Sequence, residues 1–131
     1  MANYSATSRS NYFKVKNKEK FKELCDRLEV KMIERDDLVG FISKNEDGSL
    51  PYTIYNPETE DWEDISICQE IALHLCKGQV AVMVESGAEK HRYIGGYALA
   101  VNSDGEEESI NIDQIYDLAK KLGKNVTKAE Y

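Results

Sequence analysis

Residue types that usually carry catalysis or bind metals are scarce in this chain of 131 residues, which has three cysteines and two histidines. The cysteines are odd in number and form no C-x-x-C pair, which argues against a disulfide framework and against the usual zinc motifs. We therefore predict free thiols, no metal and no cofactor. No nucleophile stands beside an evident base either, so the sequence favours a protein without catalytic residues.

Long apolar runs and a secretory signal are also missing from the sequence. The longest apolar runs, Val80–Val84 and Ala98–Val101, are far too short to span a bilayer. Residues 1–11 are polar and no apolar segment follows them, unlike the start of a secreted protein. We expect a cytoplasmic protein with no membrane partner.

The chain does contain enough apolar sequence for one folded domain. Its residues are 41% hydrophobic and 31% charged, a balance that is too apolar for a disordered chain. The polar ends predict a flexible tail over 1–10 and a second tail over 124–131. A single domain should then occupy 11–123.

Negative charge dominates the sequence but is concentrated in one segment. The chain has 24 acidic and 17 basic residues, for a net charge of −7. Residues 46–64 contain seven acidic residues and no basic one, so the rest of the chain is neutral overall and its first third is mildly basic. This balance argues against a basic footprint over the whole protein for nucleic acid or for anionic membranes.

Three segments have the spacing of apolar residues that an amphipathic helix requires. Their apolar faces lie within 21–28, 68–76 and 115–122, and each is preceded by a side chain suited to an N-cap. Gly78 and Gly123 follow the second and third segments, where a glycine typically ends a helix. The predicted N-cap residues are Asn17, Ser66 and Asn111.

Segments rich in β-branched and aromatic residues lie between the predicted helices. The order of these elements predicts an α+β fold with a mostly antiparallel sheet and helices on one face. The closest plan is the ferredoxin-like β-α-β-β-α-β arrangement, with an added hairpin and a C-terminal helix. The predicted strands are Tyr12–Lys16, Val30–Glu34, Leu38–Lys44, Tyr52–Tyr55, Val80–Val84 and Arg92–Val101.

The cysteines and one histidine share predicted helices. Cys25, Cys68 and Cys76 fall on apolar faces, where a thiol acts as a small hydrophobic side chain. His74 lies in the second helix with two of them, but residues at this spacing on one helix cannot surround a tetrahedral metal. We therefore expect packing roles for these side chains.

The strongest candidate site is an acidic segment that holds the only tryptophan. Five carboxylates occur within seven residues, just before the predicted helix at Ser66. As a plain loop, the segment would aid solubility and place negative charge at the positive end of that helix. As a site, it would present a negative surface and an aromatic anchor to a basic protein. The candidate partner-binding residues are Glu58, Glu60, Asp61, Trp62, Glu63 and Asp64.

A second candidate site lies where a turn enters the last predicted strand. As a plain hairpin end, its charges would be solvated and would form a surface ion pair of small value. As a site, its imidazole and guanidinium would hold an anionic ligand, and its glycines would let that ligand approach the backbone. The candidate ligand-binding residues are Glu89, Lys90, His91, Arg92, Tyr93, Gly95 and Gly96.

The basic first third offers another alternative, a weak nucleic-acid surface. Tyr12 and Phe13 are adjacent aromatics beside several lysines, as in sheets that bind single strands. Acidic residues dilute this patch and no RNP-like motif occurs, so nucleic acid ranks last among the partners. The lysines are Lys14, Lys16, Lys18 and Lys22.

Two blocks of sequence resemble an uncharacterised family of small single-domain bacterial proteins found on plasmids, phages and other mobile elements. The resemblance covers most of residues 8–122 and brings no enzymatic motif with it. It implies an accessory protein that occupies a nucleic-acid-binding surface on a host defence or replication protein. The blocks are Asn11-Tyr12-Phe13-x-Val15 and Gly87-Ala88-Glu89-Lys90-x-Arg92-Tyr93-x-x-Gly96-Tyr97-Ala98-x-Ala100-Val101-Asn102-Ser103-x-Gly105-Glu106.

Together these features predict a small acidic, non-catalytic interaction protein or inhibitor, with DNA mimicry as one form of it. The segment around Trp62 would contact a basic protein. The alternative from another class is a small-ligand-binding domain or enzyme that uses the block Glu89–Tyr93.

Overall fold

The computed structural model of the chain describes residues 4–44, 48–91 and 93–129. Within these residues, two sheets combine with short helices and one 3-10 turn over Ile112–Gln114. In chain order the elements are β1 (Ser5–Ser10), α1 (Lys18–Leu28), β2 (Val30–Arg35), β3 (Leu38–Ser43), β4 (Thr53–Asn56), β5 (Asp61–Asp64), α2 (Ile67–Ala72), β6 (Val80–Glu89), β7 (Tyr93–Asn102), β8 (Glu107–Asn111) and α3 (Ile115–Ala119).

The larger sheet has six strands in the order β2-β3-β1-β6-β7-β8, and β4 and β5 form a separate two-stranded ribbon. Each neighbouring pair is antiparallel. The predicted α+β class and the mostly antiparallel sheet are therefore confirmed. The specific ferredoxin-like plan is not confirmed.

The N-terminal segment is a central strand of the sheet, so the prediction of a flexible tail over 1–10 is wrong for Ser5–Ser10. These residues pair with β6 from Ser5 opposite Ala88 to Ser10 opposite Met83. Alternate side chains face the core, and the hydroxyl of Ser10 accepts a hydrogen bond from the backbone N–H of Phe41 at 2.8 Å. A strand of small polar residues lacks the β-branched and aromatic signal on which strand prediction depends.

The predicted strand Tyr12–Lys16 is instead a pair of isolated bridges. Phe13 pairs with Val39, and Val15 pairs with Leu75, which lies just after α2. Both inward side chains are buried, with Phe13 fully so. Buried and exposed residues alternate over 13–16 as they do in a strand, but each bridge pairs with a different part of the chain.

Helices α1 and α2 pack on one face of the larger sheet and share a single core with it. Helix α1 begins at its N-cap Asn17, whose side chain accepts a hydrogen bond from Lys20 N, and ends at Glu29 in a left-handed conformation. The apolar face of α1 is buried as its spacing predicts. The largest fully buried side chains are Phe13, Phe21, Phe41, Ile71, Leu75 and Met83.

Helix α2 is shorter than its apolar spacing predicts, because the residues after Ala72 pair with an extended segment of the chain instead of continuing the helix. Ser66 caps it as predicted, but the helix ends at Ala72 and not near Gly78. The backbone of His74 accepts from Lys16 N, and Cys76 N donates to Lys14 O, so the residues around Leu75 pair with an extended segment. These long-range bonds replace the last helical turn.

The C-terminal part differs most from its prediction. Strand β8 was not predicted, and α3 covers only Ile115–Ala119 of the predicted helix over 115–122. Gln114 accepts from Asn111 N, which agrees with the predicted capping position. The large apolar residues of the predicted helix are nevertheless exposed, so its amphipathic spacing does not mark a core face; they are Ile115, Leu118 and Leu122.

Replacing Ser10 by alanine tests whether β1 is a structural strand. The variant would leave Phe41 N–H without its buried acceptor, so we expect the free energy of unfolding to fall by about 1–3 kcal/mol. Chemical denaturation measures the change, and Ser5→Ala, at an exposed position of the same strand, is the control. Equal stability of the two variants would contradict the assignment.

Candidate functional site

The acidic segment forms a β-hairpin and not the loop that its composition predicts. Strands β4 and β5 pair in register, with Tyr55 opposite Trp62 and Asn56 opposite Asp61. All of Asp61–Asp64 are exposed. The carboxylates of residues 58–64 are therefore displayed on a turn and one strand of a ribbon that stands outside the larger sheet. We call residues 53–64 the acidic hairpin.

Aromatic contact and core anchoring hold the acidic hairpin in place. The rings of Tyr55 and Trp62 meet edge to face, with centroids 5.5 Å apart. Trp62 still exposes 45% of its surface, so the indole is accessible to a partner. On the other face, Ile54 is buried in the core, and Arg27 Nε donates to Tyr55 O at 3.0 Å from helix α1. The hairpin is thus fixed to the domain at its base.

The carboxylates of the acidic hairpin have few partners among the described residues. Asn56 Nδ2 donates to Glu63 Oε1 at 2.8 Å, and Asp61 Oδ1 accepts from Trp62 N at 2.8 Å. Within 4–44, 48–91 and 93–129, the ion pairs found involve other acidic residues, namely Glu34, Asp26 and Asp117. The negative charge of the hairpin is therefore not neutralised by those parts of the chain.

The second candidate block is divided between a turn and a cleft. Glu89 pairs with Tyr93 at the end of the β6–β7 hairpin, while Lys90 and His91 are exposed in its turn. Arg92 lies outside the described residues. The remaining members of the block, Tyr93, Gly95 and Gly96, line a cleft of about 620 Å³ beside β7 and β8.

Three residues outside the set of candidate ligand-binding residues also line this cleft. Tyr4 and Tyr97 contribute rings, and Glu85 contributes a carboxylate, with only 7% of the residue's surface exposed. On β6, Ala81, Met83 and Glu85 are the buried positions of the alternating pattern. A carboxylate at a position where an apolar core residue is expected was the feature of the sequence that could have indicated this site. We call the space lined by these tyrosines, Tyr93 and Glu85 the tyrosine cleft.

Glu85 organises the tyrosine cleft through three hydrogen bonds. Its Oε1 accepts from Leu50 N at 2.7 Å and from the hydroxyl of Tyr97 at 3.1 Å, and its Oε2 accepts from the hydroxyl of Tyr4 at 3.4 Å. Burial, helped by the Glu85 charge, raises the pKa of Tyr97 to about 12 and also raises the pKa of Tyr4. Both phenols therefore remain protonated donors at neutral pH.

Paired glycines let two of the rings lie directly on the sheet. Gly87 and Gly95 are opposite each other on β6 and β7. A Cβ on Gly87 would come within 2.7 Å of the Tyr4 ring, and one on Gly95 within 2.8 Å of the Tyr93 ring. Either methyl group would displace the tyrosine above it. The two rings pack at a centroid distance of 5.6 Å.

The lysine surface is less continuous than the sequence suggests. Lys18 pairs with Glu34 at 3.4 Å, and Lys22 pairs with Asp26 at 3.6 Å. Phe13 is fully buried, so it cannot stack on a base. Half of the predicted lysines thus have acidic partners, while Lys14 and Lys16 are exposed.

Cys25, Cys68 and His74 have packing roles, whereas Cys76 is half-buried and lies outside the core cluster. Cys25 and Cys68 are buried, and burial raises their pKa values to about 12 and about 11. The His74 ring packs on Phe21 with centroids 5.9 Å apart. In the part of the chain that the structure describes, no three His, Cys, Asp or Glu side chains come together as metal ligands. Nor is any helix there both long and apolar enough to cross a bilayer.

Comparison of the chain with protein-family models, with curated proteins and with solved structures gave no match. Function is therefore inferred from the geometry of the chain's own residues. Two surfaces stand out in that geometry: the acidic hairpin, with an exposed indole and clustered carboxylates, and the tyrosine cleft, with a buried carboxylate.

The half-buried His74 should make stability depend on pH. Burial lowers its pKa below the usual 6.5, and Lys16 and Lys20 add to this while Glu70 opposes it. The folded state therefore prefers neutral imidazole, so this contribution is complete above about pH 6.5 and is lost as the pH falls toward the folded pKa.

We expect the free energy of unfolding to decrease over this acidic range more steeply in the wild type than in His74→Gln. Denaturant titrations at several pH values measure the slopes. His91→Gln, at an exposed position, serves as the control and should follow the wild type. A wild-type slope in His74→Gln would contradict the prediction.

Proposed function

We propose that the chain is a non-catalytic binding protein whose acidic hairpin docks on a basic protein surface. The observation that carries this proposal is the display of five carboxylates and a partly exposed Trp62 on one ribbon. Clustered negative charge attracts a cationic surface over a distance, and tryptophan is among the residues that contribute most energy to interfaces.

The fixed geometry of the acidic hairpin favours binding. A flexible acidic loop would lose conformational entropy when it became ordered against a partner. In the hairpin, the strand pairing and the Tyr55–Trp62 contact already restrict the backbone and the indole. The anchoring of Ile54 in the core also restrains the ribbon relative to the domain.

The kind of partner follows from the charge. A basic surface that normally binds a nucleic-acid backbone fits a row of carboxylates, because both ligands present closely spaced negative charge. We therefore propose an inhibitor that occupies such a surface, with DNA mimicry as its mode. The association with mobile elements and the cytoplasmic location stay predictions.

The proposal also includes a topology for the core. We propose that β1, α1, β2, β3, α2 and β6 follow the ferredoxin-like plan, with the acidic hairpin inserted between β3 and α2. The strand order β2-β3-β1-β6 supports this, since β3 lies between β1 and β2 and β6 lies beside β1. The acidic hairpin would then be an addition to a common framework, where loops and insertions often carry function.

Neutralising the acidic hairpin tests its role in binding. The variant changes its Glu and Asp residues to the corresponding amides, and we expect it to lose salt-sensitive binding because the steering charge is gone. The measurement is displacement of a fluorescent DNA duplex from a panel of purified basic DNA-binding proteins at low and raised salt. The changed residues are Glu58, Glu60, Asp61, Glu63 and Asp64.

A matched variant removes the same amount of charge elsewhere on the surface. It converts five exposed carboxylates outside the acidic hairpin to amides and should displace the duplex as the wild type does. If both variants lost binding equally, net charge and not the hairpin would be responsible. The control residues are Glu19, Glu23, Asp36, Asp37 and Asp104.

Trp62→Ala separates the aromatic anchor from the charge. Loss of the exposed indole should weaken binding to the same partner by about tenfold or more, mainly through faster dissociation. The dependence on salt should remain, since the carboxylates are intact. Tyr52→Ala, at a more exposed aromatic position outside the strand pairing, is the control. Unchanged dissociation of Trp62→Ala would remove the indole from the interface.

A further inference from the structure

The tyrosine cleft contains a buried carboxylate with no cation beside it among the residues that the structure describes. Glu85 is 7% exposed, and its three hydrogen-bond donors are two phenols and one backbone N–H, all of them neutral. In the described ranges of the chain, no ion pair with Glu85 is found. Buried charges in proteins are normally paired or bound to a cation, and the described residues supply no such counter-charge to Glu85.

The two oxygens of Glu85 differ in how well they are satisfied. Oε1 accepts two hydrogen bonds, at 2.7 and 3.1 Å, whereas Oε2 has one bond at the long distance of 3.4 Å from Tyr4. A carboxylate oxygen can accept two hydrogen bonds. Oε2 is therefore the oxygen whose negative charge is least offset by donors, and it lies on the side of Tyr4.

Tyrosine side chains lie near both oxygens of Glu85. Tyr4 and Tyr93 pack at a centroid distance of 5.6 Å with their planes inclined by 58°, and Tyr97 holds the other oxygen of Glu85. A ring face carries partial negative charge and attracts a cation that lies against it, most strongly where water is excluded. The glycines Gly87 and Gly95 give these rings their position on the sheet.

The rest of the lining also favours a positive ligand with an apolar part. Twelve of the described residues line the cleft, and they include two acidic side chains, Glu85 and Asp113, and no basic one. Leu99, Ile110 and Ile112 supply apolar surface. The volume of about 620 Å³ lies in the range of small-molecule sites and exceeds what a bare ammonium ion would fill.

We propose that the tyrosine cleft binds a small organic cation with a methylated ammonium head, which lies against the tyrosine rings and is balanced by Glu85. An anionic ligand, which the sequence suggested for this region, would be repelled by both carboxylates. A neutral ligand would leave Glu85 without its counter-charge. The methyl groups of the head match the aromatic surface, and its charge matches the carboxylate.

Titration with choline and with its neutral isostere 3,3-dimethylbutan-1-ol tests the proposal. The two molecules have nearly the same shape, so a difference between them reports the positive charge. We expect saturable NMR shifts at cleft residues with choline and binding at least about fivefold weaker for the isostere. Equal affinities, or no saturable shift with choline up to its solubility limit, would overturn the proposal.

Substitution of an exposed tyrosine of the cleft tests where choline binds without disturbing the fold. Tyr93 is 51% exposed, so Tyr93→Leu should fold, and we expect it to weaken choline binding at least fivefold. Tyr52→Leu, an exposed tyrosine outside the cleft, should bind as the wild type does. If Tyr93→Leu and Tyr52→Leu bound choline equally, the cleft would not be the site.

The role of the carboxylate needs its own variant. Glu85→Gln removes the charge with little change of shape, and should reduce the preference for choline over the isostere to near unity. Thermal denaturation checks its fold, and if this variant does not fold, Tyr93→Leu decides alone. The variant with a neutralised acidic hairpin should bind choline normally, so failure of this proposal and of the protein-binding proposal can be distinguished.

Discussion

The pairing of β1 with β6 is the interaction on which the larger sheet depends. Strands β2 and β3 lie on one side of β1, and β6, β7 and β8 lie on the other, so β1 is their connection within the sheet. Its six residues all pair with β6, whereas only Arg9 opposite Ile42 pairs with β3. The hydroxyl of Ser10 supplies a further bond on that weaker side. A buried backbone N–H requires a hydrogen-bond acceptor, and the Ser10 hydroxyl is that acceptor for Phe41.

The same strand also builds the tyrosine cleft. Tyr4 directly precedes β1, and the β1–β6 register places Ser8 opposite Glu85 and Ala6 opposite Gly87. Ser8, Ala6 and Gly87 are small, so they leave space on the core face for the Glu85 carboxylate and for the tyrosine rings. Leu50 N donates to Glu85, and two residues earlier Gly48 N donates to Ala6 O. The position of Glu85 is therefore set by β1 and by the segment that crosses beside it.

Sequence patterns predicted those elements whose determinants are local. Helix α1 follows from the cap at Asn17 and an apolar face that is buried, and the β2–β3 hairpin follows from its composition. Predictions failed where distant contacts decide the structure, as at β1 and at the end of α2 near Leu75. The acidic segment was found by its charge, but its strand pairing was not predicted. The cleft was missed for the same reason: Tyr4 and Glu85 are 81 positions apart in the chain.

Negative charge has different physical consequences in the two surfaces. The carboxylates of the acidic hairpin are exposed, so each interacts weakly with a partner and salt screens them over about 8–10 Å. They act together, over a distance, and without strict geometry. Glu85 is buried among rings and neutral donors, where a charge interacts strongly but only with a group that fits the cleft. Salt should therefore weaken contacts of the hairpin more than contacts of the cleft, because solvent reaches the first set of carboxylates and is largely excluded from the second.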